Sequence, residues 1–337
     1  MIRAAIVGLG RWGTSLVNSI QDKTDDIRFV LAHTRTRAKA EDFCRSKSVR
    51  LVDDFDAILS DPDIDVVVLA TPHSQHEEQI KRSAAAGKHI HVEKPITLDR
   101  ASAQSAVDAA RRAGVMLAVG FCRRFHPSIG EVRQRLLDGR LGKLVAMVGQ
   151  HTTATSMFVP TGNWRADPGE APAGAMTAVG MHILDHMIEF AGPVREVECV
   201  TARHGDGPGD DTTTVLLRFD TGVTGTIFCS VATPTSFSFS TYGSLCMVEV
   251  CGAALERVRL VPVPQHAPTG LVAAPPDQVI EHAGFDMLRT ELLEFAHCIR
   301  DKRAYPVDIE DVLHGMAVFD ACVRSAETGG VVKVRAV

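Results

Sequence analysis

Three glycines near the start of the chain, in Gly8-Leu9-Gly10-Arg11-Trp12-Gly13, have a spacing that can hold a pyrophosphate. The first permits a tight turn out of a strand, and the second lets the backbone approach the phosphates. The third lets helix and strand pack closely, while the helix N-terminus attracts the anion. A second group bears on which dinucleotide such a loop takes. The second strand of a unit of this kind usually ends in an Asp or Glu that hydrogen-bonds the ribose hydroxyls. Here it ends His33-Thr34-Arg35-Thr36-Arg37, with Lys39 beyond and no acid. Cations at a helix N-terminus oppose its dipole by a few tenths to ~1 kcal/mol. A 2′-phosphate would relieve that cost and accept hydrogen bonds from Thr34 and Arg35. The sequence therefore favours NADP, with NAD as the alternative. A third group, His182, Asp185 and His186, invites a metal reading, since histidines at i and i+4 share a helix face. It lacks the Glu of H-E-x-x-H and any obvious further ligand, so no metal is expected.

The elements that must position these residues fall into two textures. Apolar runs at Ala4–Val7, Arg28–Ala32, Val66–Ala70, His89–Val92 and Met116–Val119 alternate with segments of helical length such as Gln75–Ala86 and Ala101–Ala113. This alternation implies right-handed βαβ units and a buried, largely parallel sheet. After about residue 123 the strand patterns crowd together. They cover Leu144–Thr152, Arg195–Arg203, Thr212–Phe219, Thr224–Ser230, Ser236–Tyr242 and Met247–Cys251, which predicts a mainly antiparallel sheet. Gly174–Phe190 is expected as a helix within it, and Phe285–Ile299 and Ile309–Glu327 as two closing helices. Residues 153–173 are expected to form an irregular loop near the site, and Pro262–Pro276 a surface excursion.

The expected fold is α/β. A Rossmann doubly wound parallel sheet over 1–123 precedes an α+β domain with a large, open-faced antiparallel sheet over 124–337, whose last helix packs back toward the first domain. A chain of 337 residues exceeds the size at which single cores stop growing, which also favours two domains. The net charge of -5 gives no electrostatic reason to expect nucleic acid or an anionic membrane as partner. No apolar stretch of ~18 residues offers a membrane span. The apolar run after Met1-Ile2-Arg3 is shorter than a signal sequence requires, so a cytoplasmic protein is expected. The eight cysteines form no C-x-x-C pair, which favours reduced thiols. An open antiparallel sheet needs its outer face covered, so a homodimer or homotetramer through that sheet is expected.

Further segments make a resemblance specific. Asp61-Pro62-Asp63-Ile64-Asp65 leads into a buried strand ending Thr71-Pro72, with His76 following. Gly87-Lys88-His89-Ile90-His91-Val92-Glu93-Lys94-Pro95 places E-K-P at the end of a later strand. Asn163-Trp164-Arg165 and Gly180-x-His182-x-x-Asp185 lie in the second half. Together these resemble the glucose–fructose oxidoreductase / inositol dehydrogenase / rhizopine-catabolism (Gfo/Idh/MocA) family, nearly end to end and most strongly over residues 1–125.

The resemblance implies an oxidoreductase that moves a hydride between NAD(P) and a hydroxyl or carbonyl of a small polar substrate, such as a sugar or cyclitol. It implies that Lys94 supplies positive charge and relays the proton, and that His182 is a second acid–base group. It places Glu93 and the Thr71-Pro72 turn at the nicotinamide side, with His76, Trp164 and Arg165 as further cofactor contacts and Arg124 and Asp185 at the substrate. It also implies a cis peptide before Pro95. One departure stands out: the family commonly has Asp four residues before the His, and here that residue is Ala178. Its loss keeps open a non-enzymatic dinucleotide sensor on the same fold; transfer or elimination chemistry with a tightly held cofactor is a separate alternative. Retention of Lys94 and His182 argues for the enzyme.

Overall fold

The computed structural model describes residues 1–158, 163–264, 266–267, 270–271 and 275–334. The chain divides into two compact units, Met1–Cys122 with Asp286–Leu313 and Arg123–Phe285 with His314–Val337.

In the first unit the order is β1 (Ile2–Val7), α1 (Arg11–Ile20), β2 (Ile27–His33), α2 (Glu41–Ser46), β3 (Arg50–Leu51), α3 (Asp56–Leu59), β4 (Val66–Leu69), α4 (His76–Ala85), β5 (His89–Glu93), α5 (Arg100–Ala113) and β6 (Leu117–Gly120). The sheet order is β3-β2-β1-β4-β5-β6, and every pairing is parallel. This is the doubly wound order of the Rossmann fold, with its switch point between β1 and β4. β4 reads Val66-Val67-Val68-Leu69 and is buried throughout, as a central strand covered on both faces must be. α5 begins where the Asp99 side chain accepts a hydrogen bond from Ser102 N and ends at Gly114, which takes the left-handed φ of 67° that a helix C-terminus favours.

The second unit contains α6 (Pro127–Leu137), β7 (Leu144–Thr152), α7 (Met181–Ala191), β8 (Val194–Ala202), β9 (Thr212–Phe219), β10 (Thr224–Ser230), β11 (Ser236–Gly243), β12 (Cys246–Cys251), β13 (Arg257–Pro262), β14 (His266–Ala267), β15 (Gly270–Leu271) and β16 (Gln278–Glu281). There follow α8 (Met287–Asp301), α9 (Ile309–Thr328) and β17 (Val332–Lys333). Nine strands form one sheet in the order β16-β13-β12-β11-β7-β10-β9-β8-β17. Its pairings are antiparallel except β7 with β10, which run parallel. β13, β16 and β17 add to the strands expected from sequence. So does α6 to the helices; it is marked locally by Pro127 at its first turn and by His126, whose ring accepts from Ser128 N.

Three expectations are refined. Gly174–Phe190 is not one uniform helix: Met176–Gly180 forms a π-helical turn and α7 follows. In the irregular loop, Thr155–Phe158, Trp164–Ala166 and Pro168–Glu170 are short 3-10 turns, and residues 159–162 lie outside the described residues. In the expected excursion after Pro262, β14 pairs with β15, and residues 265, 268–269 and 272–274 lie outside the described residues.

α7 sits on the buried face of the nine-stranded sheet. A Cβ on Gly149 of β7 would come within 2.2 Å of Ile183 Cγ2, so the glycine is what lets the helix approach. On the opposite face, aligned residues of neighbouring strands include Val148, Leu216 and Val279 in one row and Phe228 and Val200 in the next, all exposed.

The second-domain span expected from sequence includes α8, yet α8 groups with the first unit. Its Leu292, Phe295 and Ala296 pack into one apolar cluster with Leu16, Ile20, Phe29, Val66 and Val68. Emptying one such aromatic site costs about 3–5 kcal/mol, so α8 is part of the first unit's core. Helical periodicity reveals that α8 has an apolar face but not which sheet receives it.

Candidate active site

The glycine loop occupies the carboxyl end of β1. Gly8 has φ +96°, and a Cβ there would lie 2.5 Å from Ala70 O at the end of β4. A Cβ on Gly13 would lie 2.0 Å from Gly8 O. The outer glycines are thus fixed by the turn and by packing. Gly10 differs: a Cβ there meets nothing within 4 Å. It is the N-cap of α1, with no side-chain cap and no acidic residue in the first turn. The helix N-terminus therefore leaves its first N–H groups and open space for an anion, which fits a dinucleotide pyrophosphate. Arg11 is exposed beside it and forms no ion pair among the described residues.

At the end of β2, Arg37 is committed elsewhere, 2.5 Å from Asp53 and 3.5 Å from Glu41. Thr34 is half-buried and Arg35 exposed, and neither has a hydrogen-bond or ion-pair partner among the described residues. Arg35 thus remains available to a ligand, and so does the exposed Lys39 beyond it.

Two further loops leave the carboxyl ends of β4 and β5. Thr71 donates through its hydroxyl to Gln79 Oε1 at 2.6 Å. His76 is fully buried, with Nδ1 3.0 Å from Pro95 O and Nε2 3.2 Å from Thr71 O. It therefore ties the Thr71-Pro72 turn to the Glu93-Lys94-Pro95 turn. The Lys94–Pro95 peptide is cis. Glu93 is buried, and its Oε1 has no hydrogen-bond partner among the described residues. Trp12 Nε1 approaches the same carboxyl without reaching hydrogen-bond geometry. Burial, and next the negative charge of Glu291, push the Glu93 carboxyl up to about 7.

Glu291 comes from α8 and pairs at 3.4 Å with His91, two residues before Glu93 on the same face of β5. Neither had been marked from sequence. The available signal was the polarity of both: His91 lies in a strand buried on both faces, and Glu291 on the apolar side of α8.

In the second unit the structure brings Arg124 and Asp185 together. Arg124 Nε and Nη2 each donate to the carboxylate at 2.8 Å, in a buried two-pronged pair. Glu189 lies 3.7 Å from Arg124 Nε and accepts from Arg133 at 2.6 Å. Asp185 and Glu189 stand at i and i+4 on α7, a spacing that could have marked Glu189. His182 is buried in the first turn of α7, two residues after the π-helical segment that contains the exposed Ala178. π-helical turns recur at functional sites. His186 is fully buried, stacked at 6.4 Å on Phe190, and neither ring nitrogen has a hydrogen-bond partner among the described residues, with Asp185 Oδ2 4.0 Å from Nδ1. Burial, then the nearby Arg124, hold it well below the usual histidine range, so it stays neutral. Arg165 lies 4.2 Å over the Trp164 ring. Among the described residues no group of three or more His, Cys, Asp or Glu is placed to hold a metal ion, and no described helix is long and apolar enough to cross a membrane.

Comparison with known proteins identifies the family to which this fold belongs. The family model described as "Oxidoreductase family, NAD-binding Rossmann fold" (GFO_IDH_MocA) matches residues 2–121, and the GFO/IDH/MocA C-terminal domain model matches residues 129–249. The scyllo-inositol 2-dehydrogenase (NAD(+)) of Bacillus subtilis (strain 168) is 26% identical over 351 residues, covering 97% of this chain and 95% of that protein. The D-xylose 1-dehydrogenase (NADP(+)) 2 of Haloferax volcanii is 28% identical over 284 residues, covering 83% of each. Levoglucosan dehydrogenase, solved in complex with NADH and L-sorbose, shares the fold, with a TM-score of 0.89 at 18% identity over 100% of this chain and 99% of that one. With both halves matched and a dinucleotide loop of the required geometry at the end of β1, the chain belongs to the Gfo/Idh/MocA family of NAD(P)-dependent oxidoreductases.

Proposed function

We propose that the protein interconverts a hydroxyl and a carbonyl on a small polar compound, such as a sugar or cyclitol, with NADP(H) preferred over NAD(H). One observation carries the reading. The Gly8–Gly13 loop and the Glu93-Lys94-Pro95 turn leave the same carboxyl edge of one parallel sheet, with β4 alone between β1 and β5. Ligands of open α/β sheets bind beyond that edge, at the switch point.

Gly8, Gly10, Arg11, Trp12 and Gly13 would hold the pyrophosphate, and Thr34 and Arg35 the 2′-phosphate. Thr71, Pro72, His76 and Glu93 would line the nicotinamide end. When bound, the dinucleotide accepts or gives up the hydride. The substrate oxygen must exchange a proton in the same event, and its developing negative charge needs a positive neighbour. Lys94 meets both needs, and His182 is the second acid–base group. Arg124 and Asp185, expected at the substrate, are better read as the ion pair that anchors α7 and so holds His182 in place.

The exposed Val148, Leu216, Phe228, Val200 and Val279 on the outer sheet face support association with a second copy of the chain through that face. The eight unbridged cysteines suit a reducing cytoplasm. The decisive test is a panel of sugars, cyclitols and diols with each oxidised dinucleotide, followed by absorbance of the reduced ring, in wild type and Lys94→Ala. The variant is expected to turn over ~10²–10⁴-fold more slowly while still binding dinucleotide. Full activity in Lys94→Ala would refute the assignment.

A further inference from the structure

β5 should be a wholly apolar strand, because it is buried between neighbours on both sides. It instead carries His91 and Glu93 on one face, and that face turns toward α8. The His91 ring lies 5.7 Å from that of Phe295, and His91 Nε2 is 3.4 Å from Glu291 Oε2. His91 and Glu291 are both 0% exposed and Glu93 is 7% exposed. Tyr305, just beyond α8, donates its hydroxyl to Glu291 Oε1 at 3.5 Å. The surroundings are otherwise apolar: Val68 and Ala118 flank His91 in the sheet.

Two carboxyls and one imidazole cannot carry unpaired charge in such a place without heavy cost. The state that pairs charge and leaves none over has His91 protonated, Glu291 ionised against it, and Glu93 a neutral carboxylic acid. Glu291 is the fixed partner, because its carboxylate lies 3.4 Å from the His91 imidazole and also accepts from the Tyr305 hydroxyl. Glu93 is the exchangeable member, because it has no ion-pair partner among the described residues. The charged and titratable groups that face Glu93 are His91 and Lys94 from its own strand and turn, Glu291 from α8, and the Trp12 indole from α1. β6 offers only Gly120 opposite it.

We propose that Glu93 is the proton-exchanging member of a buried His91–Glu291–Glu93 cluster, and that its charge sets how strongly the site prefers oxidised over reduced dinucleotide. This rests on the reading above that the Glu93 turn lines the nicotinamide end. An oxidised nicotinamide ring carries a positive charge and a reduced ring carries none. Ionised Glu93 attracts the first and not the second. By linkage, binding the oxidised form then releases a proton from Glu93 around neutrality. Glu291 and His91 touch neither ligand nor reacting atoms in this scheme. They are positioning residues that act through Glu93.

The test measures dissociation constants of the full-length protein for NADP⁺ and NADPH, and for NAD⁺ and NADH, by calorimetry at several values between about pH 6 and about pH 8. The oxidised-to-reduced affinity ratio cancels titration of the dinucleotide's own phosphates. In wild type this ratio is expected to rise about tenfold across the range, with a midpoint near 7. In Glu93→Gln it is expected to be flat. In Glu291→Gln the midpoint is expected to fall. The negative charge of Glu291 faces Glu93 and raises it, so removing that charge eases ionisation. A ratio in wild type that does not change with pH, or one that changes equally in Glu93→Gln, overturns the proposal while leaving dinucleotide binding, and the functional reading, intact. Absence of any dinucleotide binding overturns that reading and this inference together. Wild type and Glu93→Gln decide the matter even where Glu291→Gln fails to fold.

Discussion

Glu93→Gln should make the protein more stable at alkaline pH than the wild type, and the size of the effect follows from the site. In the unfolded chain this carboxyl ionises at its ordinary 4.5, whereas in the folded protein burial and Glu291 raise it to about 7. A group raised in this way stabilises the fold fully below its unfolded value and loses that contribution as pH climbs to its folded value. At about 1.4 kcal/mol per decade of proton concentration, ionising Glu93 inside the fold costs about 3 kcal/mol. About 2 kcal/mol of this falls between about pH 5.5 and the alkaline plateau. Gln cannot ionise, and the replaced Oε1 has no hydrogen bond to lose. The assay is guanidinium unfolding at about pH 5.5 and about pH 8.5. It is best done in a Trp164→Phe background, because the chain has two tryptophans and Trp12 then reports the first unit alone. Wild type should lose about 2 kcal/mol relative to Glu93→Gln over that interval. Parallel pH curves for the two proteins would refute the reasoning, since Glu93 would then ionise alike folded and unfolded.

Arg35→Ala should weaken NADPH binding about tenfold and leave NADH nearly unchanged, measured by titration at one salt concentration; equal weakening of both would remove the 2′-phosphate argument. Leu216→Asp, on the outer sheet face, should convert an oligomer to monomer in analytical ultracentrifugation with the fold intact by circular dichroism; an unchanged sedimentation coefficient points the interface elsewhere. Asp185→Ala should cost about 3 kcal/mol, because it leaves the Arg124 guanidinium buried with Glu189 as its only nearby carboxylate on α7. Stability within ~0.5 kcal/mol of wild type would show that the pair contributes little.

Much of the fold is legible because parallel sheets leave a strong local trace. Val66-Val67-Val68-Leu69 is short, β-branched and followed by a turn proline, which marks a buried strand, and its alternation with helical segments marks parallel pairing. The glycine loop is legible for a related reason: the requirement at Gly8 and Gly13 is steric and falls on the residues themselves. The antiparallel sheet is read less completely. β16 and β17 are short edge strands whose pairing depends on partners elsewhere in the chain, and β13 ends in a proline that reads as a turn. The π-helical turn before His182 is invisible to a period of 3.6, because one extra residue in a turn leaves the apolar pattern on either side nearly unchanged.

The ionic contacts are illegible from spacing alone, but not from local anomaly. Arg124 and Asp185 each look like groups waiting for a substrate, and only the fold shows that they satisfy each other. His91 spoils an otherwise apolar strand, and Glu291 spoils the apolar face that Leu292, Phe295 and Ala296 give to α8. Each is costly taken singly, since an isolated buried charge would not be tolerated. Two such costs in segments far apart in sequence cancel when the segments meet. A charged residue in an apolar pattern is therefore information about long-range contact: once ionised it needs a partner of opposite charge, and for His91 the chain returns to provide one. α8 does so by joining the first unit after the whole of the nine-stranded sheet's main body has been laid down. The return is what makes Glu93 a group whose charge depends on a helix at the other end of the chain.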